Sequence, residues 1–230
     1  MNSKNILFFC TCILILNCSK NQPNYCEDES FVKFAENYDP QKANDLIKAI
    51  ESFDNFLNVN FSDSMTTNNK IIQFLEHELR NINSNNDNWI LDIKKNQELI
   101  DQFEKSGLRK DFWLYGYEKA ELNKNDDEII PIICDSASIV EQREDSVKFL
   151  NMRWQSAESQ IVYALQEMNT KDTVILSYID ARRIAGNISY GLLLNGLLTV
   201  SDTYNYNNIL MKIVLVNEIY SGMIYSSVLD

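Results

Sequence analysis

No proline follows Pro131 in the remaining 99 residues, and the whole chain holds only three. Proline lacks the N–H that helix interiors and sheet ladders need, so its absence leaves long regular elements open. The apolar residues then decide which kind. They recur at three and four, the period of a helix buried along one face, and seldom alternate as a half-buried strand would. Trp154, Ala157, Ile161, Ala164, Leu165 and Met168 describe one such face. Asp172 can cap a helix running to about residue 199, and another is expected from about 206 to 228. The last is apolar nearly all round, which marks a central, buried element.

The same period governs the first half. Asp39-Pro40 offers a side-chain cap and a proline at the first helical position, and Ala43, Leu46, Ile47, Ile50, Phe53 and Leu57 follow on one face. Ile71, Ile72, Leu75, Leu79 and Ile82 repeat the pattern, as do Trp89, Ile93, Ile100 and Phe103. The aromatic stretch 109–122 reads as a less regular helix. Ile129-Ile130-Pro131-Ile132-Ile133 is β-branched around a proline, which suits an extended connection or an edge strand. Beyond it, Asp135 or Ser138 can cap a helix with Ile139, Val140, Val147 and Leu150 inward, Glu141 completing a capping box. The expected fold is all-α: a single bundle of about seven to nine helices, with room for one short extended segment near 129–133.

Upstream of this domain, Ile6 to Leu16 is an apolar run of eleven residues that follows Lys4 and ends in Asn17-Cys18-Ser19-Lys20. It is too short for a bilayer core, which needs about 20 residues, and reads as a secretory signal. Later apolar runs are interrupted, Tyr190 to Leu198 by Asn195 and Ile209 to Val216 by Lys212. Ile15-Leu16-Asn17-Cys18 resembles the lipobox of bacterial lipoproteins, with Ile15 and Asn17 standing where that family prefers Leu and a small residue. The resemblance covers the leader alone. It implies that residues 1–17 are a signal peptide, that Cys18 becomes the acylated first residue, and that 18–26 form a lipid-anchored linker ahead of a helical domain at 27–230. The localisation implied is the bacterial cell envelope, on the periplasmic face or the cell surface. A plain secretory signal cut after Ser19 would instead leave a secreted soluble protein.

The chain carries 21 basic and 33 acidic residues, a charge of −12, and loss of Lys4 with the leader makes it −13. A field of that sign repels nucleic acid and favours basic partners. Cys10 and Cys12 would leave with the leader, so a lipidated Cys18 leaves Cys26 and Cys134 in an oxidising compartment. A bridge between them would close a loop of about 100 residues and stabilise by roughly 4 to 5 kcal/mol.

Catalytic signatures are sparse. His77 is the only histidine, falls opposite Ile71, Leu75 and Ile82, and is expected to face water. No G-x-S-x-G elbow, phosphate-binding G-x-x-x-x-G-K-[ST] loop or C-x-x-C pair occurs. Ser30-Phe31-Val32-Lys33 matches S-x-x-K by spacing alone, without a Lys-Thr-Gly partner. Residues 123–128 are rich in oxygen ligands but lack the glycine and distal glutamate of a calcium hand. No cofactor and no metal centre is expected.

Five charges nevertheless project onto otherwise apolar helix faces: Asp54, Arg143, Glu158, Arg182 and Lys212. Buried charge is costly unless paired. These residues are read as an interior polar network, or as a pocket in which Arg182 takes an anionic group or Asp54 and Glu158 act as paired carboxylates. Long Arg or Lys stems can also reach back to the surface. Tyr204 and Tyr206 sit in a Ser/Asn-rich loop whose composition suits adaptable binding.

The function that fits is an envelope lipoprotein acting as a binding or interaction module, held to the membrane by lipid on Cys18 and suited to a basic protein partner. The alternatives are a carboxylate-dependent envelope hydrolase and a carrier of an apolar ligand. Cys18→Ser is expected to abolish acylation and move the protein from the detergent phase to the aqueous phase on Triton X-114 partitioning. Unchanged partitioning of that variant would rule out the lipid anchor.

Overall fold

Four aspartates, a threonine and an asparagine cap six of the helices among the described residues. The computed structural model describes residues 25–82, 89–115, 118, 153–156 and 159–229. After a 3-10 turn (Tyr25–Glu27), Asp28 accepts the Ser30 and Phe31 amides and opens α1 (Glu29–Ala35). Asp39 caps α2 (Pro40–Asn60) with Pro40 at its first position, as its sequence predicts. Thr66 caps α3 (Thr67–Asn81), and Asp92 caps α4 (Ile93–Ser106). The single turn α5 (Arg109–Phe112) leads into β1 (Trp113–Tyr115), which pairs antiparallel with β2 (Arg153–Gln155), Leu114 opposite Trp154.

α6 (Gln160–Glu167), α7 (Thr173–Ala185) and α8 (Tyr190–Thr199) follow. The chain ends in α9 (Ile209–Leu215), a π turn (Val216–Tyr220) and α10 (Ser221–Leu229), which run on without a break. Counting that rod as one, nine helices are present among the described residues. The fold is an all-α bundle.

The rod is its axis. Every residue from Ile209 to Asn217 is buried, α10 packs on α4, and α9 packs on α1 and α2. Ile209–Val228 is long and apolar enough to cross a membrane, but 78% of its most apolar window is buried inside the fold, as a core helix requires. Around it α8 lies on α3, α7 on α6, and α2 on both α3 and α4. Phe53, Phe56, Phe74, Trp89 and Tyr220 interlock where α2, α3 and the rod meet, with ring centroids 5.1 Å apart for Phe53–Tyr220 and 5.2 Å for Phe56–Trp89. Each such pair adds about 0.5 to 1.5 kcal/mol beyond its buried area.

Four expectations from the sequence are corrected. The helix expected to run from 172 to 199 is two helices, because Gly186 takes φ 65° and its N–H closes on the Arg182 carbonyl, ending α7. Trp154 belongs to β2, and its helix begins only at Gln160, since backbone pairing with β1 captures 153–155. The helix expected over 109–122 stops at Phe112 for the same reason. His77 is half-buried, because the segment before α4 is not helical and lays Trp89 over it, ring centroids 4.2 Å apart. The extended segment expected at 129–133 and the helix expected from 135 or 138 lie outside the described residues.

Buried Arg109 holds the corner between α4 and the strands. It donates to Glu118, to Glu104 and to the Trp113 carbonyl. Burial alone would raise the Glu118 carboxyl, but hydrogen bonds from Arg109 and the Tyr115 amide hold it at about 2. At the same corner Gly107 ends α4 with φ 77°. A Cβ there would meet only the far end of Lys42 at 3.8 Å, so space is not limiting. Gly107→Ala is therefore expected to cost about 1 to 2 kcal/mol from left-handed backbone strain alone, read as a lowered midpoint in urea. An unchanged midpoint would contradict the assignment.

Candidate functional site

A lysine in the most buried helix of a protein must find a carboxylate or give up its charge. Lys212 lies at the middle of α9, is 2% exposed, and places Nζ 2.7 Å from Asp54 Oδ1, reaching across from α2. Tyr25 completes the cluster. Its hydroxyl donates to Asp54 Oδ2 and accepts from Lys212 Nζ at 2.8 Å. The ammonium also stands 5.1 Å from the centre of the Tyr25 ring. Burial, then the charge and hydrogen bond of Asp54, push the Tyr25 hydroxyl well above its ordinary value, so it stays protonated and able to donate.

A second buried cluster forms one and a half turns further along the rod. Glu218 sits in the π turn, its side chain 1% exposed, with Oε1 3.5 Å from Arg182 Nε. Tyr178, one turn before Arg182 on α7, donates to the same oxygen at 2.5 Å, and Asn217 Nδ2 donates to it at 2.7 Å. Arg182 spends its remaining donors on carbonyls, Nη1 on Gly186 and Nη2 on Ser156, each at 2.7 Å. Burial first, then the Glu218 charge, pushes the Tyr178 hydroxyl far up. The guanidinium thus ties α7 to the rod, to the turn after α7 and to the segment following β2.

Two concavities open beside these clusters. The first is a polar cleft of about 550 Å³ lined by Tyr25, Glu27, Asp28, Thr170, Asp172 and Asn208 among others. Three helix caps meet there: Asp28 for α1, Asp172 for α7 and Asn208 for α9. Asp28 and Asp172 each use one oxygen in capping, and helix N-termini temper their charge. Asp172 Oδ2 also accepts the Tyr204 hydroxyl at 2.6 Å. Glu27, exposed on the 3-10 turn, caps nothing. The wall is rich in acceptors and suits a donor-rich cation. The second concavity is an apolar groove of about 400 Å³ between α7 and α8, with Tyr178 in its wall.

Of the five charges read from the sequence as an interior set, Asp54 pairs with Lys212, while Arg182 is buried in a separate cluster. Arg143 and Glu158 lie outside the described residues. The structure puts Glu218, which is not one of the five, beside Arg182 and commits Asp54 to Lys212. Tyr204 and Tyr206 do not form an adaptable loop. Tyr206 is fully buried with its hydroxyl on the Leu197 carbonyl, and Tyr204 is half-buried against it and against Asp172. Two tyrosines flanked by polar residues read as surface, but each has found an internal acceptor. Cys26 is exposed beside the cleft; its expected partner Cys134, like Cys18, lies outside the described residues.

Tyr25, Tyr178 and Glu218 escaped the sequence reading. Glu218 carried a signal, as the sole acid between 206 and 228, but a projection at 100° per residue cannot foresee a π turn. Among the described residues no group of three or more His, Cys, Asp or Glu is placed to hold a metal ion. No protein-family model, no curated protein and no solved structure matches this chain.

Arg182→Ala is expected to destabilise by about 3 to 5 kcal/mol, because Glu218 is then left charged in a low-dielectric core. For a domain of this size that lowers Tm by on the order of 10 °C. Adding Glu218→Gln removes the stranded charge and is expected to recover most of the loss. Calorimetry on both variants checks this; a single variant as stable as the parent would mean the pair carries nothing.

Proposed function

We propose that this chain is an envelope lipoprotein, tethered through lipid on Cys18, whose helical domain is a binding module for a basic protein partner. The observation that carries the reading is the polar cleft at the tether end of the domain. Tyr25 lines it together with Glu27, Asp28 and Asp172, and Tyr25 is only the seventh residue after Cys18. A stretch of that length reaches at most about 25 Å, so a partner in the cleft would be held close to the membrane.

The cleft also has what a cation-binding surface needs. Its acceptors are held by caps, so little side-chain entropy is lost when an ammonium or guanidinium arrives. The charge of −12 on the whole chain adds a long-range attraction that raises the encounter rate with a basic surface. A carboxylate-dependent hydrolase is less well supported. Asp54, one of its two expected carboxylates, is bound to Lys212 and Tyr25 in the interior.

The test separates the cleft from the general acidity of the chain. Glu27→Gln with Asp28→Asn and Asp172→Asn removes three charges while keeping caps, because asparagine caps as well as aspartate. The control neutralises three exposed acids elsewhere, Glu76, Glu98 and Asp101. Titration with a fluorescent lysine-rich peptide at moderate salt is expected to show roughly tenfold weaker binding for the cleft variant, and a much smaller change for the control. Equal losses in both would leave only diffuse attraction and refute a cleft-centred module.

A further inference from the structure

The apolar groove and the acidic cleft share a border. Asp172 lines the cleft, and its neighbour Thr173, the first residue of α7, lines the groove. On the other wall Val200 lines the groove at the end of α8, and Tyr204 just beyond it donates to Asp172. One occupant can therefore lie along the groove and reach the carboxylates at its end.

The groove itself selects against polar contents. Val174, Tyr178 and Ala181 form a stripe on α7, spaced four and three apart, and Leu193 and Leu197 answer it from α8, with Val200 just past its end. Two of its hydroxyls are already committed: Tyr178 donates to Glu218 and accepts from Asn217, and Ser177 donates to the Thr173 carbonyl. What the groove can offer is apolar area. It also offers close approach, since Gly196 lies in the wall and a Cβ there would meet nothing within 4 Å. Leu192, at its edge, is 68% exposed. An exposed leucine at the lip of an apolar groove is the composition of a contact surface.

We propose that the groove and cleft together receive one amphipathic, basic helix of a partner protein. Its apolar stripe seats between α7 and α8, and a lysine or arginine at one end reaches Asp172, with Asp28 and Glu27 beyond. The inference rests on the basic-partner reading above and adds to it the conformation of the bound segment. Dimensions agree: α7 and α8, at 13 and 10 residues, form walls of about 20 and 15 Å, matched by a helix of three to four turns. Charge complementarity chooses the occupant. The carboxylates at the groove's end disfavour the anionic head of a fatty acid or phospholipid and favour a cationic side chain. Helix-in-groove recognition of this kind reads anchors at three- and four-residue spacing.

Gly196→Phe tests the groove without touching the cleft. The new side chain enters open space, and replacing an exposed glycine within a helix favours folding, so the variant is expected to stay as stable as the parent. Two fluorescent peptides of about 15 residues and identical composition serve as probes, one with leucines at helical spacing and lysines opposite, the other scrambled. On the full-length protein the patterned peptide is expected to bind about tenfold more tightly than the scrambled one, and Gly196→Phe is expected to erase that difference. Circular dichroism of the bound patterned peptide is expected to gain helix.

If the two peptides bind equally, or Gly196→Phe changes neither, the groove proposal is overturned, while cleft neutralisation that still weakens both leaves the basic-partner reading intact. If Gly196→Phe blocks the patterned peptide but cleft neutralisation does nothing, the basic-partner reading itself fails. If lauric acid binds and Gly196→Phe abolishes that while peptide binding is unaffected, the groove is a carrier's pocket and the proposal is overturned.

Discussion

A lysine and a glutamate six residues apart on the most buried helix of the fold dictate where its neighbours must sit. Lys212 can keep its charge only if α2 brings Asp54 to it, and Glu218 only if α7 brings Arg182. The net worth of such pairs is small, since desolvation offsets much of the attraction. Their leverage lies in what happens when they are missing. A core of leucine and phenylalanine tolerates helices sliding by a turn at modest cost, whereas a stranded buried charge costs several kcal/mol. The two pairs therefore act as pins that reject wrong registers of the rod against α2 and α7.

Each pin also reaches toward a surface. The Lys212–Asp54 pair holds Tyr25, and with it the 3-10 turn whose Glu27 and the cap Asp28 help to line the acidic cleft. The Arg182–Glu218 pair holds Tyr178, which forms part of the wall of the apolar groove. The same guanidinium takes the Gly186 carbonyl, so the turn that sends α8 back beside α7 is fastened to the core as well. Rigid backing of this kind reduces the entropy lost when a partner binds. The π turn is where this backing is made: Val216–Tyr220 contains both Asn217 and Glu218, and π turns inside α-helices often occur at functional sites.

Local chemistry was legible wherever it acts within a few residues. The cap at Asp39-Pro40, the faces of α2 and α3, and the burial of the final helix follow from spacing and side-chain type, and the all-α class with them. Elements that depend on a distant partner were not legible. Trp154 is spaced to continue the apolar face of the helix that follows, and only pairing with Trp113–Tyr115 makes Arg153–Gln155 a strand. Gly186 and Asn195 look alike as interruptions of an apolar run, yet Gly186 adopts a positive φ and ends its helix while Asn195 stays within α8, its amide on the Gly191 carbonyl. Tyr206 reads as a surface residue because its neighbours are polar; its burial depends on an acceptor at Leu197, nine residues away in sequence.

For the candidate site the division is similar. That Asp54, Arg182 and Lys212 face inward is a property of each helix alone, because periodicity and side-chain polarity are local. Which charge meets which was decided by tertiary structure: helix order around the rod, the break at Gly186 and the π turn bring Glu218, not Asp54, to Arg182. The acidic cleft and the apolar groove belong wholly to that second level. Both are made by chain segments far apart in sequence, such as Asp28 and Asp172, and packing alone sets the distance between them.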